Sequence, residues 1–237
     1  MPKITIPQGA QTADINYAFN GVPDREDGLT VVMVHGAGGR NEDWPQGWRN
    51  INDMNRALGI VPKDHYAGMD DYPIYLLDLP QHGGSTGEAS RSVDGYADVI
   101  EAFIKAMDMP RVVLVGHSMG AAITLLTAVR QNPRLAGIVM IGSSSKLKVS
   151  SAILEGLQTD FEATVDAIVG YSWYSDTGKF FKEKGRERML ETGAEVVCGD
   201  YFACADFDLT DQLDQVQVPA LLIASDKDRM VRLDQTK

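Results

Sequence analysis

Two stretches of this sequence place a serine between glycines at a spacing that could make it a nucleophile. Gly116-His117-Ser118-Met119-Gly120 and Gly83-Gly84-Ser85-Thr86-Gly87 both read G-x-S-x-G. A serine hydroxyl attacks an acyl carbon only when its oxygen stands clear of the backbone and a base can take its proton. A sharp strand-to-helix turn meets the first demand: the strained backbone projects Oγ outward, and the flanking glycines let strand and helix approach. The helix start also brings free N–H groups and a positive dipole end beside that oxygen. With 23 glycines in 237 residues, one such match arises by chance in about one sequence in ten. Context decides between the two. The apolar run Arg111-Val112-Val113-Leu114-Val115 leads directly into Gly116, and Ala121-Ala122 continues a small-residue helix start. Gly83–Gly87 instead lies behind Pro80 and runs into polar Glu88-Ala89-Ser90-Arg91-Ser92. Ser118 is the candidate nucleophile and Ser85 its look-alike.

The elements that must position Ser118 are legible as alternating patterns. Short apolar, β-branched runs alternate with longer amphipathic stretches, which predicts an α/β fold: a mostly parallel sheet with helices on both faces. Strands are expected at 4–6, 14–19, 29–34, 74–77, 111–115, 137–141 and 220–224, and helices at 44–58, 93–107 and 119–131. Between Ile141 and Pro219 lie 77 residues where one crossover helix would suffice. Ile153, Leu154, Leu157, Phe161, Val165, Ile168 and Val169 fall at helical spacing there, and 178–191 suggests another helix. Residues 146–211 are therefore read as a helical lid inserted late in the chain, with 1–145 and 212–237 forming the core. Tyr171, Trp173, Tyr174, Phe180, Phe181, Phe202 and Phe207 concentrate aromatic surface in that lid, and most of them are expected to bury it against the core. The rest would line an apolar acyl pocket. Gly59 to Tyr72 reads as a solvated insertion. Its Asp64, His65, Asp70 and Asp71 offer metal-ligand chemistry but sit at the strands' N-terminal edge, away from where such sheets place their sites.

Composition narrows the function classes. The net charge of −11 and pI of about 4.7 argue against a nucleic-acid or anionic-membrane partner. No apolar run approaches the roughly 20 residues that span a bilayer, and Met1-Pro2-Lys3-Ile4-Thr5 opens no secretory leader. A soluble cytoplasmic protein is expected. The two cysteines, Cys198 and Cys204, are expected to be reduced and structural, and no metal or organic cofactor is implied.

Four ordered motifs together resemble the α/β-hydrolase superfamily, in its lid-bearing serine hydrolase branch. His35-Gly36-Ala37-Gly38-Gly39 after the 29–34 strand is similar to that family's oxyanion loop. Asp78-Leu79-Pro80-Gln81-His82-Gly83-Gly84-Ser85 resembles its D-x-P-G-H-G-x-S segment, with Gln81 in place of the usual glycine. Ser118 sits in its nucleophile elbow, and Pro219 to Arg229 resembles its acid-bearing strand and loop. The resemblance covers about residues 29–144 and 213–232. It implies Ser118 as nucleophile, the amides of Ala37 and Met119 as oxyanion hole, and Asp228 as acid with Asp226 the alternative. Gly38, His117 and Trp173 are expected near the substrate. Ser225 replaces the family's glycine after the strand, and Arg232 its usual proline.

The same resemblance places the base, a histidine, after the acid in chain order. No histidine follows His117 here. His35 and His82 belong to loops that the family uses structurally, His65 lies on the wrong edge, and His117 is expected to be packed. His82 is the one to test as a replacement base. The sequence is read as part of a longer hydrolase. The alternatives are a truncated form that binds ligand without catalysis, or a base supplied by another residue or chain. A strand at 220–224 left as an apolar edge would invite a second copy, hence a possible homo-oligomer. The expected activity is cleavage of a small-to-medium carboxylic ester or related acyl substrate. A non-catalytic ligand-binding protein on this fold and a C–C bond hydrolase are the alternatives.

Overall fold

The apolar runs become strands, and the sheet they build decides which loops meet. The computed structural model describes residues 1–22, 24–49 and 71–236. Its strands are β1 (Lys3–Gln8), β2 (Gln11–Phe19), β3 (Leu29–Val34), β4 (Ile74–Leu77), β5 (Arg111–His117), β6 (Leu135–Ile141) and β7 (Ala220–Ile223). They form one sheet in the order β1-β2-β4-β3-β5-β6-β7. β1 and β2 form an antiparallel hairpin and β2 runs antiparallel to β4, while every pairing from β4 through β7 is parallel. β1 and β2 are longer than the apolar pattern predicts, because a tight turn with Gly9 at φ 59° carries the pairing out to Gln8 opposite Gln11.

Helices cover both faces, as the alternation predicts. They are α1 (Gln46–Arg49), α2 (Val93–Ala106), α3 (Met119–Val129), α4 (Ser151–Thr159), α5 (Phe161–Ser172), α6 (Lys179–Thr192) and α7 (Ala194–Asp206). Val32, Val34, Val112 and Leu114 pack with Tyr96, Ile100 and Phe103 of α2 and with Met119, Ile123 and Leu126 of α3. Their neighbours along the strands, Val31, Met33 and Val115, face the other way onto Trp44 and Trp48. Each such side chain contributes on the order of 2 kcal/mol when fully buried. β7 is different. Leu221, Leu222 and Ile223 are 55%, 48% and 46% exposed, although they sit in an apolar strand.

The long stretch after β6 holds α4 to α7. The periodicity that ran from Ile153 to Val169 is two helices rather than one. Asp160 leaves the helical conformation at φ −147°, ψ 79°, and its side chain accepts from Ala163 N–H to start α5. The expectation that most of the aromatics bury this segment fails. Tyr171, Tyr174, Phe180 and Phe181 are all more than half exposed, Trp173 and Phe202 are half-buried, and only Phe207 is buried. The reason is that α6 buries no residue and is tied to α5 by charge, Arg186 reaching Asp166 at 2.5 Å and Glu162 at 3.6 Å. The apolar anchor is α7. Val197, Cys198 and Tyr201 pack with Leu157 and Ile168, while Ala203 and Cys204 join the main core. The predicted helix beyond Arg49 and residues 59–70 of the Gly59–Tyr72 insertion, with Asp64, His65 and Asp70, lie outside the described residues, while Asp71 and Tyr72 at its end accept from Arg25 and Asn20 through their carbonyls. Among the described residues, no helix is long and apolar enough to cross a membrane.

Candidate active site

Parallel register brings the loops together. Val34 pairs with Gly116, Gly116 with Met140, and Met140 with Leu222. The residues after β3, β5, β6 and β7 therefore emerge side by side at the carboxyl edge of the sheet, where open α/β sheets bind ligands. Those residues are His35–Gly39, Ser118, Gly142 and Ser225–Asp228.

Ser118 takes φ 53° and ψ −118°, a conformation that costs a non-glycine residue on the order of 1–3 kcal/mol. The surroundings hold it there. Its N–H donates to Ile141 O at 2.9 Å, and its carbonyl accepts from Ala121 N–H at 2.9 Å and Ala122 N–H at 3.2 Å. A methyl group at Gly116 would drive into the Gly120 carbonyl, and one at Gly120 into that of Val34. Among the described residues, Ser118 Oγ has no hydrogen-bond partner. Ser85 is the reverse. Its Oγ accepts from Asn16 N–H at 2.8 Å and donates to Asp78 O at 2.7 Å, so both capacities are spent on joining two loops.

The loop after β3 lies against Ser118: a methyl group on Gly36 would sit 3.2 Å from Ser118 Cβ. Gly38 N–H is taken by Asp200 and Gly39 N–H by Gly36 O. The amides of Ala37 and of Met119 have no partner among the described residues. His35 braces the loop. Leu79 N–H donates to its Nε2 at 3.0 Å, so that nitrogen carries no hydrogen and Nδ1–H donates to Gly36 O at 2.7 Å. The ring is neutral, and burial lowers its pKa to about 4.

His82 has no nitrogen to offer as a base, which corrects the expectation that it could replace one. It is fully buried, with Nδ1 on Pro80 O at 3.0 Å and Nε2 on Asp200 Oδ2 at 2.9 Å. His117 is exposed rather than packed. Its ring spans the mouth of the site, Nδ1 lying 3.3 Å from a methyl group placed on Gly36 and Nε2 3.6 Å from one placed on Gly142. The protein packed around the ring lowers its pKa by desolvation, against the pull of Asp43 and Asp228.

Asp228 and Asp226 differ in their surroundings. Asp228 Oδ1 accepts from the amides of Met230 and Val231 at 2.8 and 2.9 Å, which leaves Oδ2 facing inward, 3.5 Å from a methyl group on Gly142. Asp226 is exposed. Gly38 is buried beneath Met189 and Val197. Trp173 packs on Gly185 and Phe181, and its carbonyl accepts from Arg229, the residue after Asp228. Cys198 and Cys204 are free and buried, and burial pushes the Cys204 thiol pKa up, keeping it protonated. Among the described residues, no group of His, Cys, Asp and Glu could hold a metal ion. Sequence reasoning passed over Asp200. Its signal was a lone carboxylate inside the apolar run Val196 to Cys204.

Known proteins resemble this chain to different extents. The chain is 31% identical over 120 residues to the dihydrolipoyllysine-residue acetyltransferase component of the acetoin cleaving system of Pseudomonas putida, over 50% of this chain and 28% of that protein. It is 32% identical over 133 residues to 2-succinyl-6-hydroxy-2,4-cyclohexadiene-1-carboxylate synthase of Escherichia coli O17:K52:H18, over 55% of this chain and 44% of that protein. The matches thus span less than half the length of these curated relatives. A solved structure of a thermophilic esterase from Thermogutta terrifontis shares the fold at a TM-score of 0.78 and 18% identity, covering 99% of this chain and 84% of that one. Residues 31–237, from β3 through the Asp228 loop, match the model of the alpha/beta hydrolase family, and the chain belongs to that family.

Proposed function

We propose that this chain belongs to a serine hydrolase that cleaves a small-to-medium carboxylic ester or related acyl compound through Ser118. The observation that carries the reading is a serine oxygen without a partner among the described residues, on a strained turn, beside two amides that likewise lack one. In the reaction, Ser118 Oγ bonds to the acyl carbon and the carbonyl electrons move onto oxygen. The Ala37 and Met119 N–H groups receive that charge, and one such donor contributes on the order of 3 kcal/mol to the transition state. A histidine takes the serine proton and gives it to the departing alkoxide. Water then attacks the acyl-enzyme, and the acid leaves.

Asp228 is the group to orient that histidine, since Oδ1 is fixed by two amides and Oδ2 faces the site. In the family's chain order the histidine follows the acid, and no histidine follows Asp228 in this sequence. Residues 146–211 act as the lid. Gly38, His117 and Trp173 border the acyl pocket, with Met189 and Val197 supplying apolar surface over Gly38. The test is intact mass after incubation with a fluorophosphonate probe. One adduct on the folded chain that vanishes in Ser118→Ala supports the assignment, and no adduct on the folded chain overturns it for these residues.

A further inference from the structure

The turn that presents the Ala37 amide is held from outside by the helical segment. Gly36 to Gly39 closes as a β-turn, Gly39 N–H donating to Gly36 O at 3.1 Å. Gly38 has φ 65°, the left-handed value that a type II turn needs at its third residue. Glycine imposes little preference of its own there, so the peptide planes around it follow whatever holds them. Both polar groups of Gly38 are held by side chains distant in sequence. Its N–H donates to Asp200 Oδ2 at 2.8 Å, and its carbonyl accepts from Thr192 Oγ1 at 3.2 Å.

Asp200 is fully buried on α7 and its carboxylate accepts three hydrogen bonds. Oδ2 accepts from Gly38 N–H and from His82 Nε2, and Oδ1 accepts from the Tyr96 hydroxyl at 2.6 Å. His82 faces acceptors only, the Pro80 carbonyl at Nδ1 and Asp200 at Nε2, so both ring nitrogens need a hydrogen and the ring is an imidazolium. Burial alone would lower its pKa, but the Asp200 carboxylate outweighs that and the value is raised. The other ionisable groups around this pair are Asp78, Tyr96, Tyr201, the protonated Cys204 and the neutral His35, whose ring lies 4.9 Å from that of His82.

We propose that Asp200 is a positioning residue for the oxyanion-stabilising turn. A single carboxylate carried by α7 clamps the Gly38 amide to the buried His82 ring and thereby aims the Ala37 N–H toward Ser118. The role given to Ala37 rests on the hydrolase reading above, while the clamp itself is measurable without turnover.

Asp200→Asn tests it. An asparagine keeps the shape but not the charge, so its amide oxygen at the Oδ2 position meets the Gly38 and His82 N–H groups only as a neutral, weaker acceptor. Amide and ring resonances are read by NMR, and Ser118 phosphonylation by intact mass. The expected result is a folded variant in which the Ala37 and Gly38 amides both shift. Gly38 exchanges at least about tenfold faster, and His82 loses its second ring proton at a lower pH than in the wild type, because burial remains and the Asp200 charge is gone. The maximal phosphonylation rate falls about tenfold to hundredfold with the probe's apparent affinity unchanged. An Ala37 amide that stays in place overturns the proposal, as does a wild-type labelling rate once that amide has moved. If the wild-type chain takes no probe, the hydrolase reading fails and the amide and ring measurements alone decide the clamp. If Asp200→Asn does not fold, the wild type decides. Two protonated ring nitrogens on His82 with a slowly exchanging Gly38 amide support the clamp, and a bare ring nitrogen or an unprotected Gly38 amide overturns it.

Discussion

Ser118 and Ser85 sit in the same five-residue pattern and use their oxygens in opposite ways. Around Ser118 the glycines are needed because backbone meets backbone: Gly116 lies against the Gly120 carbonyl, and Gly120 against that of Val34. Strand, helix and neighbouring strand approach so closely that the serine between them is forced outward. Around Ser85 the glycines make room for side chains. A methyl group at Gly84 would meet the Asn16 amide at 2.8 Å, and one at Gly87 would meet Ala13 Cβ and Gln8 Oε1 at 2.5 Å. That second loop wraps the buried Asp78, which accepts from Asn41 N–H at 2.6 Å, Asn41 Nδ2 at 2.7 Å, Asn16 Nδ2 at 2.6 Å and Gly84 N–H at 2.9 Å. The pattern specifies only small residues around a serine. What the glycines are small for decides whether that serine does chemistry or joins loops.

The largest effect that could break this comparison is on reactivity. Ser118→Ala is expected to abolish phosphonylation and ester turnover, while Ser85→Ala retains most of both. Comparable losses would mean that the Ser85 loop belongs to the site. Next comes the acid. Asp228→Asn should lower turnover about 10⁴-fold, the order seen when a triad acid is neutralised, while Asp226→Asn should change it by less than about threefold, since Asp226 is exposed and its carboxylate accepts no hydrogen bond among the described residues. Turnover of both variants on an aryl ester decides it, and the reverse ranking would move the role to Asp226.

The two histidines of these loops give the comparison a pH dependence of opposite sign. His35 is buried neutral, with its pKa lowered from 6.5 to about 4. The unfolded chain binds that proton more readily than the folded one, so the stability held above about pH 6.5 is lost as pH falls toward about 4. The full difference is on the order of 3 kcal/mol. His82 is held charged by Asp200. Its contribution is fully present below about pH 6.5 and is lost as pH rises through its raised pKa. Urea midpoints measured across pH should therefore show an acid limb that flattens in His35→Gln and a separate alkaline limb that flattens in Asp200→Asn. A single limb lost in both variants would show that the two rings titrate as one unit.

How much of this was legible in the sequence follows from the range of each interaction. β3, β5 and β6 were readable because central parallel strands are buried on both faces and so appear as unbroken apolar runs. Ser118 was readable because its demands are local, a strand before it and small residues around it. Asp200 was not, because its partners lie 104, 118 and 162 residues away at Tyr96, His82 and Gly38. His82 looked available for the same reason: nothing nearby in the sequence reveals that both its nitrogens are occupied. The aromatics of α5 and α6 misled because apolar residue type predicts burial only where a core face receives it. Here ion pairs to Asp166 and Glu162 tether α6 instead.

The smallest expected effect is on stability, and it separates the serines most cleanly because it needs no substrate. Removing the Ser85 hydroxyl leaves the Asn16 N–H and the Asp78 carbonyl without their partner. Ser85→Ala should therefore destabilise by about 1–2 kcal/mol. Ser118→Ala removes an oxygen with no partner among the described residues, and alanine keeps the same backbone strain, so its cost should stay within about 0.5 kcal/mol. Ser118→Gly goes further, because glycine adopts a positive φ without the steric penalty. That variant should gain up to about 1 kcal/mol, offset in part by the greater freedom of its unfolded chain. Thermal or urea unfolding of the three variants gives the order directly. A destabilised Ser118→Gly would mean that the turn is relaxed and the nucleophile is presented without strain.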